Sequence, residues 1–157
     1  MTWAEFEQAA PDLAGATRKR LESTRIALLG TIRADGSPRI SPVEPYFTAD
    51  ALLFGAMVRS AKARDLARDA RCVLHSAISE PDAGETEFKL YGTASEAAER
   101  HAPAEAWWQS QPPDAARVFA LSIESAVCVA WALDRGEMTV TRWSPQRGLE
   151  ETTRSYP

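Results

Sequence analysis

Arg59, Ser60, Lys62 and Arg64 fall together where the apolar run Leu52-Leu53-Phe54-Gly55-Ala56-Met57-Val58 gives way to the amphipathic pattern Ala61-Lys62-Ala63-Arg64-Asp65-Leu66. A helix start leaves backbone N–H groups without intrahelical acceptors and carries partial positive charge, so cationic side chains there suit a phosphate or a similar anion. The same residues have a plainer use. Ser60 can be an N-cap, with Lys62, Arg64, Arg68 and Arg71 forming a solvated face that Asp65 and Asp69 partly neutralise. Cations at that end nevertheless oppose the helix dipole, at a cost of about 0.3 kcal/mol or more, unless an anion binds.

Other chemistry-bearing residues are sparse. His75 and His101 each stand alone, and a lone histidine in a strand is more often a hydrogen-bonded structural residue than a catalyst or metal ligand. Glu44 and Glu87 are the carboxylates close to a groove that would border this joint, without the paired-carboxylate or nucleophile-and-base spacing of a hydrolase. No catalytic residue and no metal site is assigned. Cys72 and Cys128 lie in apolar runs, as buried thiols do in a reducing compartment.

The elements that must position these residues follow from periodicity. Trp3, Phe6 and Ala10 recur at helical spacing, and Pro11 restarts a helix carrying Leu13 and Leu21 that ends at Thr24. A strand over 26–32 leads through Asp35-Gly36, a strong hairpin signal, into an antiparallel return over 39–47. Pro42 and Pro45 interrupt that return, so it is expected to be bulged or at an edge. A strand over 51–58, a helix over 60–69 and a strand over 71–78 follow, then the turn Pro81-Asp82-Ala83-Gly84 and a strand over 87–95. Residues 97–116 read as a helical segment broken by Pro103, Pro112 and Pro113; the adjacent Trp107 and Trp108 cannot both face the core, so one is expected in the core and the other over a pocket or a subunit surface. Alternation predicts strands over 121–131 and 138–143, and a polar tail over 144–157.

The expected fold is therefore mainly β with added helices: six or seven antiparallel strands in a small split barrel, since curling a sheet removes its exposed edges. The 157 residues, with 45% hydrophobic and 25% charged content, fit one domain, with an N-terminal helical segment over 1–23, the barrel over 24–143 and the tail beyond. A formal charge of −4 argues against nucleic-acid binding. No apolar stretch approaches the roughly 20 residues needed to span a bilayer, and Met1-Thr2-Trp3-Ala4-Glu5 does not read as a signal peptide, which points to a cytoplasmic chain without membrane partners.

In order, Asp35-Gly36-Ser37-Pro38-Arg39, Ile40-Ser41-Pro42-Val43, Phe54-Gly55-Ala56-Met57, Ser60-Ala61-Lys62 with Leu66, Asp69 and Arg71-Cys72-Val73, and Lys89-Leu90-Tyr91-Gly92-Thr93-Ala94 resemble the pyridoxamine 5'-phosphate oxidase-like flavin-binding split barrels, in particular the flavin and deazaflavin oxidoreductase branch. The resemblance implies a homodimer with FMN, or alternatively the deazaflavin coenzyme F420, in a groove between subunits, and hydride transfer to or from a small organic substrate. Carried over by position, Ser60 and Lys62 would hold the phosphate, assisted by Arg59 or Arg64. Met57 and Val58 would line the groove, backbone groups of Ser41, Pro42 and Val43 would face the ring system, and Lys89 would add a polar contact. Trp143, beside Arg142, is either an aromatic offered to the partner's flavin or the last core residue of its strand. True pyridoxamine phosphate oxidases have more arginines at the phosphate and a basic C-terminal substrate pocket, so the likeness carries the cofactor class and leaves that substrate open. A non-catalytic flavin- or haem-binding protein is the reading from another class.

Overall fold

The computed structural model describes residues 1–77, 86–97, 105–112 and 114–155. The turn at 81–84, His101, Pro103 and Pro113 lie outside the described residues. Helices α1 (Trp3–Ala9) and α2 (Pro11–Thr24) open the chain. Thr2 and Glu5 form a reciprocal capping box at the first, and Pro11 starts the second, where a missing N–H costs nothing. Arg25, at φ 58°, ends α2 in the left-handed conformation. Strands β1 (Ala27–Ile32), β2 (Pro38–Val43), β3 (Pro45–Phe47) and β4 (Leu52–Met57) follow. Helix α3 (Ala61–Arg68) leads to β5 (Arg71–Ser76), β6 (Glu87–Glu96), β7 (Ala116–Ala132), β8 (Glu137–Ser144) and β9 (Gly148–Ser155). None of these helices is long and apolar enough to cross a membrane.

The nine strands belong to one antiparallel sheet ordered β2-β1-β5-β6-β7-β4-β3, with β8 on β7 and β9 on β8. The path does not close. Its two ends, β2 and β3, are consecutive in the chain and joined through Glu44, so the sheet curls into a barrel with an open seam between β2 and β4. The seam has a local cause. Pro42 pairs with Leu28 of β1, yet its carbonyl accepts a bond from the Lys62 ammonium of α3, so that carbonyl points away from β1. The carbonyl and nitrogen of one strand residue face the same side, which puts the donor that proline lacks on the seam, where it removes no ladder bond and discourages a new one.

Three differences from the sequence expectation have physical reasons. The return strand over 39–47 is two strands because Pro42 and Pro45 flank the corner. Of the segment over 97–116, the described residues 105–112 hold a 3-10 turn at Trp107–Ser110 where the sequence predicts a helix, with Pro112 just after it, and β7 already begins at Ala116. The polar tail is β9, which pairs with β8 from Ser144↔Gly148 to Glu137↔Ser155. It buries no side chain, so hydrophobic alternation could not reveal it.

The core joins helix and sheet. Trp3 meets Phe47 edge-on at 4.6 Å and Phe6 meets Trp143 at 4.8 Å, which fixes α1 against the barrel. Strand β7 pairs with β4 through its first five residues and with β8 through its last seven, passing a bulge opposite Tyr91 and Gly92. A Cβ on Gly92 would collide with the Ser122 carbonyl, so the close approach needs glycine. Cys72 and Cys128 are free and half-buried; desolvation, with nearby glutamates, pushes their thiols to about 12 and about 11, so both stay protonated.

Asp65 anchors α3. It is 4% exposed, not on a solvated face, and its Oδ2 accepts from Arg39 Nε of β2 at 2.6 Å and from Thr31 Oγ1 of β1 at 3.1 Å, with Arg68 3.6 Å from Oδ1. Desolvation alone would raise its pKa, but the bonds from Arg39 and Thr31 and the charges of Arg39 and Arg68 outweigh it and hold the carboxyl below its ordinary 3.8. The folded value lies below the unfolded one, so this stabilisation is complete above about pH 4 and is lost as pH falls through the folded value. Asp65→Asn is expected to lower stability near neutrality by about 2 kcal/mol. That is less than the about 3–5 kcal/mol typical of a fully buried pair, because Arg39 is 27% exposed. The variant should also lose less stability than wild type on acidification below about pH 4. Urea titrations at several pH values check both.

Gly55 supplies a second test. A Cβ there would collide with the Trp108 ring and lie 2.8 Å from Trp107 Cζ2, so both indoles rest on bare β4 backbone. Gly55→Ala is expected to destabilise by about 1–3 kcal/mol through overpacking and to change the near-ultraviolet circular dichroism of the tryptophans. Unchanged stability and spectrum would show that the pair is not seated on β4.

Candidate functional site

The seam opens into a cavity of about 340 Å³ lined by Ile26, Pro42, Val43, Glu44, Gly55, Ala56, Met57, Ser60, Lys62 and Trp107. Its existence follows from strand lengths. Strand β3 covers β4 only from Leu52 to Phe54, so at Gly55–Met57 the β4 backbone has β7 on one side and the seam on the other. One wall is therefore backbone edge and apolar side chain.

The chain's turn into α3 builds the polar end. Ser60 is the N-cap, its Oγ accepting the Ala63 N–H at 3.3 Å, which leaves its hydroxyl hydrogen free to donate. The first N–H groups of α3 have no intrahelical acceptor and sit beside it. Lys62 reaches across to donate to Pro42 O at 2.6 Å. It is half-buried, with no carboxylate partner among the described residues, and desolvation lowers its pKa from 10.5. A half-buried ammonium, a capping hydroxyl and a helix start are the donor set an anion requires.

Of the residues proposed from sequence, the structure brings Pro42, Val43, Met57, Ser60 and Lys62 together. Ser41, Val58 and Arg59 lie outside the lining, and Arg59 instead offers its carbonyl to Arg64 Nη1 at 2.6 Å. Lys89 projects from β6 onto Glu87, beside His75, whose Nε2 is 3.7 Å from that carboxylate and whose Nδ1 lies 2.6 Å from Ser76 O. Trp143 is 3% exposed, packed on Phe6, and borders a separate hollow of about 150 Å³ with Arg142 and Arg147. Sequence reasoning placed Glu44 close to the groove and one of Trp107 and Trp108 over a pocket or a subunit surface without assigning either as a site residue, and it did not assign Ile26, Gly55 and Ala56. Which indole faces the cavity is decided by the approach of both rings to Gly55, which the sequence does not show. Trp108 is buried against Tyr46, their rings 4.9 Å apart.

A second cavity of about 480 Å³ lies at the same helix start, lined by Arg33, Arg39, Ala61, Arg64 and Arg68 with Asp35 and Asp65. Arg71, read from the sequence as part of a solvated face that Asp69 helps to neutralise, pairs with Asp69 at 2.7 Å. Among the described residues no group of His, Cys, Asp and Glu gathers as a metal cluster.

Solved structures share this architecture. A pyridoxamine 5'-phosphate oxidase-related, FMN binding protein from Nostoc punctiforme is 14% identical, covering 94% of this chain and 96% of its own, with a TM-score of 0.60. PhzG from Burkholderia lata, solved with tetrahydrophenazine-1-carboxylic acid, is 13% identical over 96% and 92%, with a TM-score of 0.65. A heme binding protein from Mycobacterium smegmatis is 16% identical over 90% and 87%, with a TM-score of 0.61. No curated protein matches the chain. At these identities the structures establish the fold. The sequence profile of the family described as Pyridoxamine 5'-phosphate oxidase matches residues 13–128, from α2 through most of β7 and across the whole seam, and by that match the chain belongs to the pyridoxamine 5'-phosphate oxidase family.

Proposed function

We propose that this protein is a flavin-dependent oxidoreductase that binds FMN in the seam and moves hydride to or from a small organic substrate. The observation that carries this reading is Lys62: a half-buried ammonium without a carboxylate partner among the described residues, beside a capping hydroxyl in a slot lined largely by apolar side chains and backbone. Ser60 and Lys62 would bind the phosphate. Pro42, Val43 and the bare β4 edge at Gly55–Met57 would seat the ring, with Trp107 as a wall that excludes water. A bound flavin supplies the hydride chemistry, and the residues that line the slot supply orientation and electrostatics. The slot is open on the sheet's outer side, where Ile26, Leu28, Ile40, Met57 and Tyr91 expose apolar surface, so the working form is proposed to be a homodimer whose second copy covers it.

A second reading rests on the neighbouring cavity. Four arginines, Arg33, Arg39, Arg64 and Arg68, continue positive charge past the helix start, as a coenzyme with a longer anionic tail such as F420 would require. A non-catalytic haem-binding role is the remaining alternative. The absorbance spectrum of freshly purified protein separates the three.

Lys62→Ala is expected to weaken FMN binding by about 1.5–3 kcal/mol, the range for a hydrogen bond to a charged group. The screening length falls from about 10 Å at 0.1 M salt to about 3 Å at 1 M, so the advantage of FMN over riboflavin should shrink with salt. Equal affinity for the two at low salt would leave Ser60 and Lys62 as structure only. For assembly, light scattering is expected to give twice the 17.2 kDa of one chain; a monomer with cofactor bound would refute the dimer.

A further inference from the structure

Glu44 occupies the corner between Pro42-Val43 and Pro45, where the chain crosses the seam, and makes no ion pair with Lys62. It is half-buried and lines the cavity. Tyr46 donates its hydroxyl to Glu44 Oε2 at 2.7 Å, while Oε1 has no hydrogen-bond partner among the described residues. Trp107, seated on Gly55, presents an indole to the same cavity. Desolvation and the Glu44 carboxylate raise the Tyr46 pKa, so that hydroxyl remains a donor to Glu44 and does not compete with it for cations.

The slot thus carries both charges. Lys62 and Ser60 supply cationic and hydroxyl donors, and Glu44 supplies a carboxylate with an unfilled oxygen in a lining that includes the Trp107 indole. A phosphate answers the first and leaves the second. We propose that Glu44 and Trp107 form the substrate part of the site and select a planar small molecule carrying a protonated nitrogen, which Glu44 Oε1 accepts as a hydrogen-bond donor and the Trp107 face stabilises by cation–π contact. This deepens the flavin reading and rests on it for the identity of the occupant at Lys62. The corner fixes the geometry: Glu44 belongs to neither ladder, its neighbours are held by proline, and Tyr46 pins one carboxylate oxygen so that the other is presented in a fixed direction.

The test uses three probes that share one planar ring and differ in charge: benzamidine, benzamide and benzoate. Calorimetric titrations are run on the full chain with and without FMN. Wild type is expected to bind benzamidine about tenfold or more tighter than benzoate, as one charge-assisted contact implies, with benzamide between them. Glu44→Gln is expected to abolish that order, and Glu44→Lys to reverse it. Benzoate bound as well as benzamidine by wild type, or an order that survives in Glu44→Gln, would overturn the proposal. Should the Glu44 variants fail to fold, Tyr46→Phe releases the pinned carboxylate oxygen and is expected to weaken benzamidine severalfold with benzoate little changed; unchanged or tighter benzamidine binding would count against the fixed presentation by Glu44. If FMN fails to bind while the order of probes holds, the flavin reading falls and the selection by Glu44 stands.

Discussion

The open seam is the constraint on which the rest of this structure depends. A sheet that curls through β2-β1-β5-β6-β7-β4-β3 brings its two ends together, and regular strands would pair there and close the barrel. Proline prevents it. Pro42 places its missing donor on the seam, and β3 begins only at Pro45, opposite Phe54, so the last part of β4 meets no neighbour on that side. The unpaired edges would be a liability on a flat sheet. Here they become walls of a cavity whose floor is backbone and whose lining carries both charges.

Position at the seam is enforced from two directions. Buried Asp65 ties α3 to β1 and β2 through Thr31 and Arg39, so the helix start that presents Ser60 and Lys62 cannot drift from the edge strand it faces. Arg68, which also donates to Ile32 O, adds a second tie at the far end of the helix. On the opposite side, the absence of a side chain at Gly55 lets Trp107 and Trp108 lie on β4, with Trp108 locked in a small cluster of Leu53, Ala116 and Val118 while Trp107 remains at the cavity. Adjacent residues on a 3-10 turn point in different directions, so one indole is core and the other is wall.

The basic residues around α3 divide their labour in a way that charge counting hides. Arg39 is spent on Asp65, Arg71 on Asp69, and Arg64 reaches back to the Arg59 carbonyl, whereas Lys62 enters the seam. The surface of the second cavity nevertheless stays rich in arginine because Arg33, Arg64 and Arg68 border it together with Arg39. One helix start therefore borders two cavities, one rich in arginine and a smaller one that holds Lys62 together with Glu44.

The sequence by itself determined much of the architecture, since alternation, the Asp35-Gly36 hairpin and the strand-to-helix joint at Ser60 are local signals. It also picked out residues that the fold gathers around one cavity: Pro42, Val43, Met57, Ser60 and Lys62 lie in two short segments, and the capping role of Ser60 depends only on neighbours. Tertiary structure decided what depends on distant contacts. Strand β9 has no buried face, so its pairing with β8 left no trace in hydrophobicity. Asp65 reads as one more charge on a helix until Arg39, 26 residues earlier, is brought beside it. Glu44 and Trp107 are 63 positions apart, and they share a cavity only because the sheet curls without closing and because Gly55 has no side chain to hold the indole away.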